Sequence, residues 1–382
     1  MKRPERTRVR LPLSLPFEPY EAASGRPHVM VDGAARESSV LTLSHWPESP
    51  TPPALARDVS ADIVLEYLEV ASAWNSGGRL PGGLRSAGRA VAAAAAAECV
   101  TNDHFDEDGL MSVFALVDPR RGLDHAEQIV DVASCGDFGV VRSEVAAQVS
   151  FAVMPMAAAE AGAGAGTSAC YGAVLPLVPE LLERPDRFER YWATEAEELA
   201  IGRSALAVGD VEIVEHRDRR LDLAVVTRLG PAAALSGRER AAGASGGLPI
   251  HAVAVHSATT ASRILAFDGE WCELYLRYEG WVRFASRRVP LRPDLGPLAL
   301  LLSAEEPSGV LWEANGVGAI VGRLRPGGDG RTEIAPHRVE SVVADYLAHE
   351  PPAWDPWRAG GAYIPDSERA GYVSPRRSNR RR

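Results

Sequence analysis

The stretch Glu98-Cys-Val-Thr-Asn-Asp-His-Phe-Asp-Glu-Asp-Gly-Leu-Met-Ser-Val-Phe-Ala-Leu-Val117 decides the fold. A short apolar run ends at Thr101, a polar run follows to Gly109, and Leu110 to Val117 then has apolar residues at helical spacing, halted by Asp118-Pro119. The pattern predicts strand, acidic loop and helix. In an open α/β sheet such a loop falls at the carboxyl end of a strand, where binding crevices form. It crowds His104 with Asp103, Asp106 and Asp108. Carboxylates this close repel one another, so either water screens them or a cation offsets them.

The spacing favours a cation. His104, Asp106 and Asp108 stand at alternate positions, so an extended segment points all three the same way, and Gly109 then lets the backbone turn into the helix. One imidazole with several carboxylates suits Mn2+, Mg2+ or Fe2+ better than a thiolate metal. An EF-hand is excluded by register, because Ala115 falls where a bidentate glutamate is needed. After a helix near 124–134, Cys135-Gly-Asp-Phe-Gly reads as a second acid-bearing turn, so Asp137 joins the expected ligands.

Upstream, a helix is expected near 60–71, followed by a Gly/Pro-rich loop from Ser76 to Leu84. The alanine run Ala90 to Ala97 fits helix or buried strand. Ala157 to Gly166 is of low complexity, and an amphipathic helix follows from Pro185 to about Ala207. From Gly209 the period changes to two. Val211 to His216 and Leu221 to Thr227 predict a hairpin, and further strands are expected at Ile250–His256, Trp271–Tyr278, Trp281–Phe284 and Ala319–Leu324. The reading is an α/β domain with an open, mostly parallel sheet at 26–205, then a smaller α+β strand-rich domain at 206–358. Basic tails flank them at 1–25 and 359–382, the second expected to be disordered.

At 382 residues and 46% hydrophobic, the chain supports two domains, and no apolar run is long enough to span a membrane. The four cysteines are scattered without a CxxC pair, which fits a reducing cytoplasm. Residues 1–10 carry +4 and the tail from Ser374 carries +5, leaving −19 on the body out of a total of −10. An acidic body disfavours strong duplex nucleic-acid binding. Lys2 is the only lysine, so Schiff-base chemistry and a Walker-type phosphate loop are excluded from the body. Gly243-Ala-Ser-Gly-Gly fits GxSxG without the strand a nucleophile elbow requires, and Gly316-Val-Gly-Ala-Ile-Val-Gly lacks a βαβ unit around it.

His104-Phe-Asp-Glu-Asp-Gly109 resembles the first motif, HxDxDG, of the DHH phosphoesterases, two-domain enzymes that hydrolyse phosphodiester or phosphoanhydride bonds with paired Mn2+ ions. The similarity covers about twenty residues, and no Asp-His-His triplet occurs in the chain. It implies that His104, Asp106 and Asp108 bind metal, and Ala133 to Asp137 is faintly similar to a later segment of those enzymes. Over a longer span the chain is similar to a bacterial, chiefly actinobacterial, family carrying HFDxDGLxSVxAL, GDFG and SHWP, here His104 to Leu116, Gly136 to Gly139 and Ser44 to Pro47.

The expected function is a metal-dependent phosphoesterase using Mn2+ or Mg2+ on a small phosphorylated molecule or short nucleotide. Arginine must supply the phosphate contacts, and Arg263 and Arg277, close to His251 and His256, are the candidates. The alternative is a non-catalytic nucleotide- or partner-binding protein on the same scaffold. A solvated acidic turn supported by the helix dipole is the third reading. No membrane partner is expected, and a homodimer is compatible with the sequence.

Overall fold

The computed structural model describes residues 10–76, 88, 91–230 and 248–375. The glycine-rich loop after Ser76, the GxSxG stretch and the arginines from Arg376 onward lie outside the described residues. The chain divides into two compact units, Met1–Asp137 with Val141–Ala193, and Phe138–Val140 with Thr194–Arg382. Among the described residues, no helix is long and apolar enough to cross a membrane. All four cysteines are buried free thiols.

The first unit is built on a three-stranded parallel sheet. β1 (His28–Val31) lies between β2 (Ser39–Leu43) and β3 (Cys99–Thr101). β1 is buried at every position, as a parallel strand covered on both faces should be. α1 (Ser60–Asn75) follows β2 and packs on α2 (Glu107–Val117), which follows β3. α2 buries Leu110, Met111, Val113, Phe114 and Leu116. Then come α3 (Pro119–Asp124), α4 (Ala126–Phe138) and α5 (Glu144–Glu160), the last capped by Ser143. α6 (Thr167–Val174) and α7 (Val178–Glu183) precede α8 (Glu189–Val208), within which the two units divide.

The expected strand–loop–helix pattern at 98–117 is observed, with one shift that matters. Asp106 rather than Gly109 starts the helix, because its Oδ1 accepts from the Gly109 amide at 2.8 Å. Asp108 is therefore a helical residue and not part of an extended loop, so the alternate-residue alignment with His104 and Asp106 does not exist. The expected turn at Asp137 is the end of helix α4, and no strand precedes it. The alanine run holds a 3-10 helix, Ala92–Ala96. Residues 11–25, expected to trail as a tail, are packed: Leu11, Leu15 and Ala23 are buried, and the Leu15 amide donates to the Leu116 carbonyl at 2.9 Å.

The second unit carries a six-stranded sheet in the order β4-β5-β6-β7-β10-β9. The expected hairpin is β4 (Val211–Glu215) with β5 (Leu223–Arg228), antiparallel. β6 (Arg263–Asp268) runs parallel to β5, and β7 (Trp271–Leu276), β10 (Gly322–Pro326) and β9 (Trp312–Ala314) complete the sheet antiparallel. A small pair, β8 (Arg292–Pro293) with β11 (Pro352–Trp354), stands apart. Leu265, Phe267, Leu274 and Leu324 form a core with Leu298 and Leu302 of α10 (Gly296–Glu305), and with Val339 and Val343 of α11 (Pro336–His349).

Three strand expectations are corrected here. Ile250–His256 forms a helix, α9 (Ala252–Ala258), because His251 caps it by accepting from the Val253 amide and alanine favours helix. Trp281–Phe284 makes turns after the 3-10 helix Tyr278–Gly280, its aromatics stacking in a row, with Trp281 5.7 Å from Tyr278 and 5.9 Å from Trp354. The strand expected at 319–324 begins only at Gly322, since Gly316 to Ala319 closes a turn. At the C-terminus, α12 (Asp366–Arg369) and buried Ala362 and Ile364 order part of the expected tail.

Candidate metal centre

The carboxyl ends of all three parallel strands meet at one place, the position where open α/β sheets build binding crevices. Asp32 follows β1, His45 follows β2 and His104 follows β3. Asp32 has φ +43°, a left-handed conformation rare in a non-glycine residue, and Gly33 beside it leaves room for the Asp103 carboxylate. Asp106 and Asp108 enter from α2, and Asp137 from the end of α4.

Two groups share Asp32: Asp32–His45–Asp108 and Asp32–His104–Asp106, each with candidate donor atoms within 4.8 Å of one another. The first is fully buried. His45 Nδ1 bonds the Asp58 carbonyl oxygen, which can only accept, so that nitrogen carries the proton. Burial holds the His45 pKa below its ordinary value, and the ring is therefore neutral at pH 7. Its Nε2 lone pair then faces Asp32 Oδ1 at 3.5 Å, Asp108 Oδ2 at 3.9 Å and Asp137 Oδ2 at 3.5 Å.

The acids around that ring are held by the backbone. Asp108 accepts from the Ser60 and Ala61 amides at 2.7 Å each, so it caps α1 from another helix. Val59 provides no side-chain cap to α1, which leaves those amides open for Asp108. Ser60 Oγ donates to Asp32 Oδ1 at 2.8 Å. Asp137 Oδ2 is buried with no hydrogen-bond partner among the described residues. Burial, then repulsion from neighbouring carboxylates, pushes the pKa of Asp108 and of Asp137 well up. Among the described residues, no arginine forms an ion pair with Asp32, Asp108 or Asp137.

The second group reaches solvent. His104 Nε2 lies 3.0 Å from Asp106 Oδ2 and 3.2 Å from Asp32 Oδ2, and Nδ1 lies 2.8 Å from Asp103 Oδ1. Burial opposes charge on His104, but bonds to Asp103, Asp106 and Asp32 outweigh it and raise its pKa. That bond and charge in turn outweigh the burial of Asp32 and lower its pKa. His104 is 31% and Asp106 33% exposed, so this side is open to solvent.

The expected ligands thus fall on both sides of Asp32: His104 and Asp106 outside, Asp108 and Asp137 inside. Asp32 and His45, which could hold a metal ion with them, are not among the residues expected from the sequence. Their signal is a polar residue directly after a strand-like apolar run, Val31-Asp32 and Leu43-Ser44-His45.

Arg263, Arg277, His251 and His256 belong to the second unit and have partners there. The terminal nitrogens of Arg263 donate to the Leu221 and Leu291 carbonyls. Arg277 donates to the Thr259, Ala261 and Phe138 carbonyls and pairs with Glu279. His251 Nε2 lies 2.7 Å from Glu195, and His256 sits between the Phe138 carbonyl and the Tyr275 hydroxyl.

Burial, then Arg277, holds the His256 pKa well below its ordinary value. The unfolded chain therefore binds a proton below about pH 6.5 that the folded chain refuses, and stability falls as pH drops. Urea unfolding is expected to lose about 1.4 kcal/mol between pH 7.5 and 5.5 from this group. His256→Gln should lose less over the same range, and an equal loss would assign the effect elsewhere.

Searches of curated proteins and of solved structures find no match to this chain. One family matches residues 13–358, across both units, and the chain belongs to it: the Family of unknown function (DUF6687).

Proposed function

We propose that this protein is a metal-dependent phosphoesterase whose divalent cations, Mn2+ or Mg2+, are held on either side of Asp32. His45, Asp108 and Asp137 would hold one on the buried side, and His104 with Asp106 one on the open side. The observation carrying the reading is the buried His45 Nε2 lying 3.5–3.9 Å from carboxylate oxygens of Asp32, Asp108 and Asp137. Such an arrangement is repulsive until a proton or a cation lies among them, and the nitrogen and oxygen donors suit a hard or borderline divalent ion.

A bound divalent ion would supply a water of lowered pKa and polarise a phosphoryl oxygen. The chain's own residues supply the positioning. The Asp58 carbonyl fixes the His45 tautomer, as partners behind metal-ligating histidines commonly do. The α1 amides orient Asp108, and Asp106 spends Oδ1 on capping α2 while Oδ2 faces His104. The open side admits a phosphodiester or phosphoanhydride.

A second reading, a structural cation without turnover, draws on the burial of Asp32, His45 and Asp108. Mn2+ titration calorimetry of the metal-stripped protein, beside Asp106→Ala and Asp108→Ala, tests both. Micromolar binding weakened in the variants, with Mn2+-dependent hydrolysis of bis(p-nitrophenyl) phosphate, is the expected result. Binding without hydrolysis selects the second reading, and no binding of Mn2+ or Mg2+ removes both.

A further inference from the structure

Asp103 belongs to the acidic turn but to neither group of candidate metal ligands among the described residues. Its carboxylate instead meets the far edge of a residue that does. Asp103 Oδ1 lies 2.8 Å from His104 Nδ1, while His104 Nε2, across the ring, lies 3.0 Å from Asp106 Oδ2 and 3.2 Å from Asp32 Oδ2. A carboxylate only accepts, so the proton of the first bond is on Nδ1. A cation at Nε2 needs that nitrogen's lone pair, and a proton kept on Nδ1 leaves it there. Trp46 lies over the same ring, with centroids 5.2 Å apart, so the imidazole is held on one face as well as on its far edge.

The room for Asp103 comes from Gly33, the residue after Asp32. A Cβ at Gly33 would lie 2.9 Å from Asp103 Oδ1 and 3.4 Å from Oδ2. Gly33 does not have a positive φ, so an alanine there meets the carboxylate rather than a backbone penalty. Turned aside by that methyl, the carboxylate would leave His104 Nδ1.

We propose that Asp103 is a positioning residue of the metal centre: its carboxylate holds the His104 Nδ1 proton and turns Nε2 toward the open-side cation, and Gly33 provides its seat. Partners behind metal-ligating histidines fix tautomer and ring orientation in this way, and losing one weakens binding about 10- to 100-fold. This role rests on the metal-dependent reading of the centre.

Mn2+ calorimetry of the full-length, metal-stripped protein tests it, read on the binding step that His104→Ala removes. Asp103→Ala is expected to weaken that step at least about tenfold. Asp103→Asn should stay within about threefold of wild type, because the carboxamide oxygen still accepts from Nδ1. Gly33→Ala should lose about as much as Asp103→Ala, and the double variant no more than either, since both remove one and the same bond. A wild type that binds no Mn2+ removes the metal reading itself, and this role with it. Where wild type binds, four results would each overturn the role of Asp103 and leave the metal reading standing: binding that His104→Ala leaves intact, Asp103→Ala equal to wild type, Asp103→Asn as weak as Asp103→Ala, or losses at Gly33 and Asp103 that add. If Asp103→Ala does not fold, Gly33→Ala beside Asp103→Asn still decides, because only the first should weaken binding.

Discussion

Metal-stripped Asp137→Asn protein is expected to melt above metal-stripped wild type, and the order is expected to reverse in saturating Mn2+. Asp137 brings an unpartnered Oδ2 into a buried site already holding Asp32 and Asp108. Without a cation, folding must either bury that charge beside others or take up a proton, and both are costly at neutral pH. Asparagine keeps the shape and removes the charge, for an expected gain of about 1–2 kcal/mol, or a few degrees. With Mn2+ the sign changes. Loss of one anionic ligand that weakens binding about 100-fold forfeits about 2.7 kcal/mol of ligand stabilisation, which exceeds the gain. Thermal melts of both proteins in chelator and in Mn2+ check this. A variant less stable in both conditions would make Asp137 a satisfied packing group, and a wild type indifferent to Mn2+ would remove the cation altogether.

The reversal bears on how much of the centre could be seen in sequence. The acidic cluster at 103–108 announced itself because local crowding of charge is a local property, and so did the helix after it. What could not be seen was convergence. Asp32 and His45 lie far from that cluster in the chain, and parallel pairing of β1 with β2 and β3 brings them to it. Asp108 entered the expected set for a reason that does not hold: its direction comes from the first turn of α2 and from the Ser60 and Ala61 amides, not from an extended backbone. Asp137 stands on a helix where a turn was expected, yet it still reaches the His45 ring. Around His251 the alternation of apolar residues favoured a strand, and a side-chain cap with good helix formers overrode it. Single-residue caps of this kind leave little trace in a period count.

Gly109 carries the last prediction, because its function differs from the one its place in the motif suggests. It is the third residue of α2 and does not have a positive φ, so backbone freedom is not what requires glycine. Space is the requirement. A Cβ there would lie 2.6 Å from Asn102 Nδ2, 2.9 Å from the Tyr171 hydroxyl and 3.2 Å from Asp106 Oδ1. None of these can yield easily. Asn102 Oδ1 accepts from the His104 amide at 2.7 Å, and Tyr171 is wedged between Phe17 and Phe105 at 4.6 and 5.1 Å. Helix propensity alone would make Gly109→Ala stabilising by about 1 kcal/mol. Overpacking with displacement of Asn102 is expected to win, for a net loss of about 2 kcal/mol. Moving Asn102 also moves His104, so Mn2+ affinity should fall with stability. Gly172→Ala in α6 is the control: nothing lies within 4 Å of its added Cβ, so there propensity acts alone and stability should rise. Denaturant melts of the two variants therefore should move in opposite directions. If both rise together, α2 has room at Gly109, and the tight seating of the acidic turn against Asn102 and Tyr171 is not what holds His104 beside Asp32.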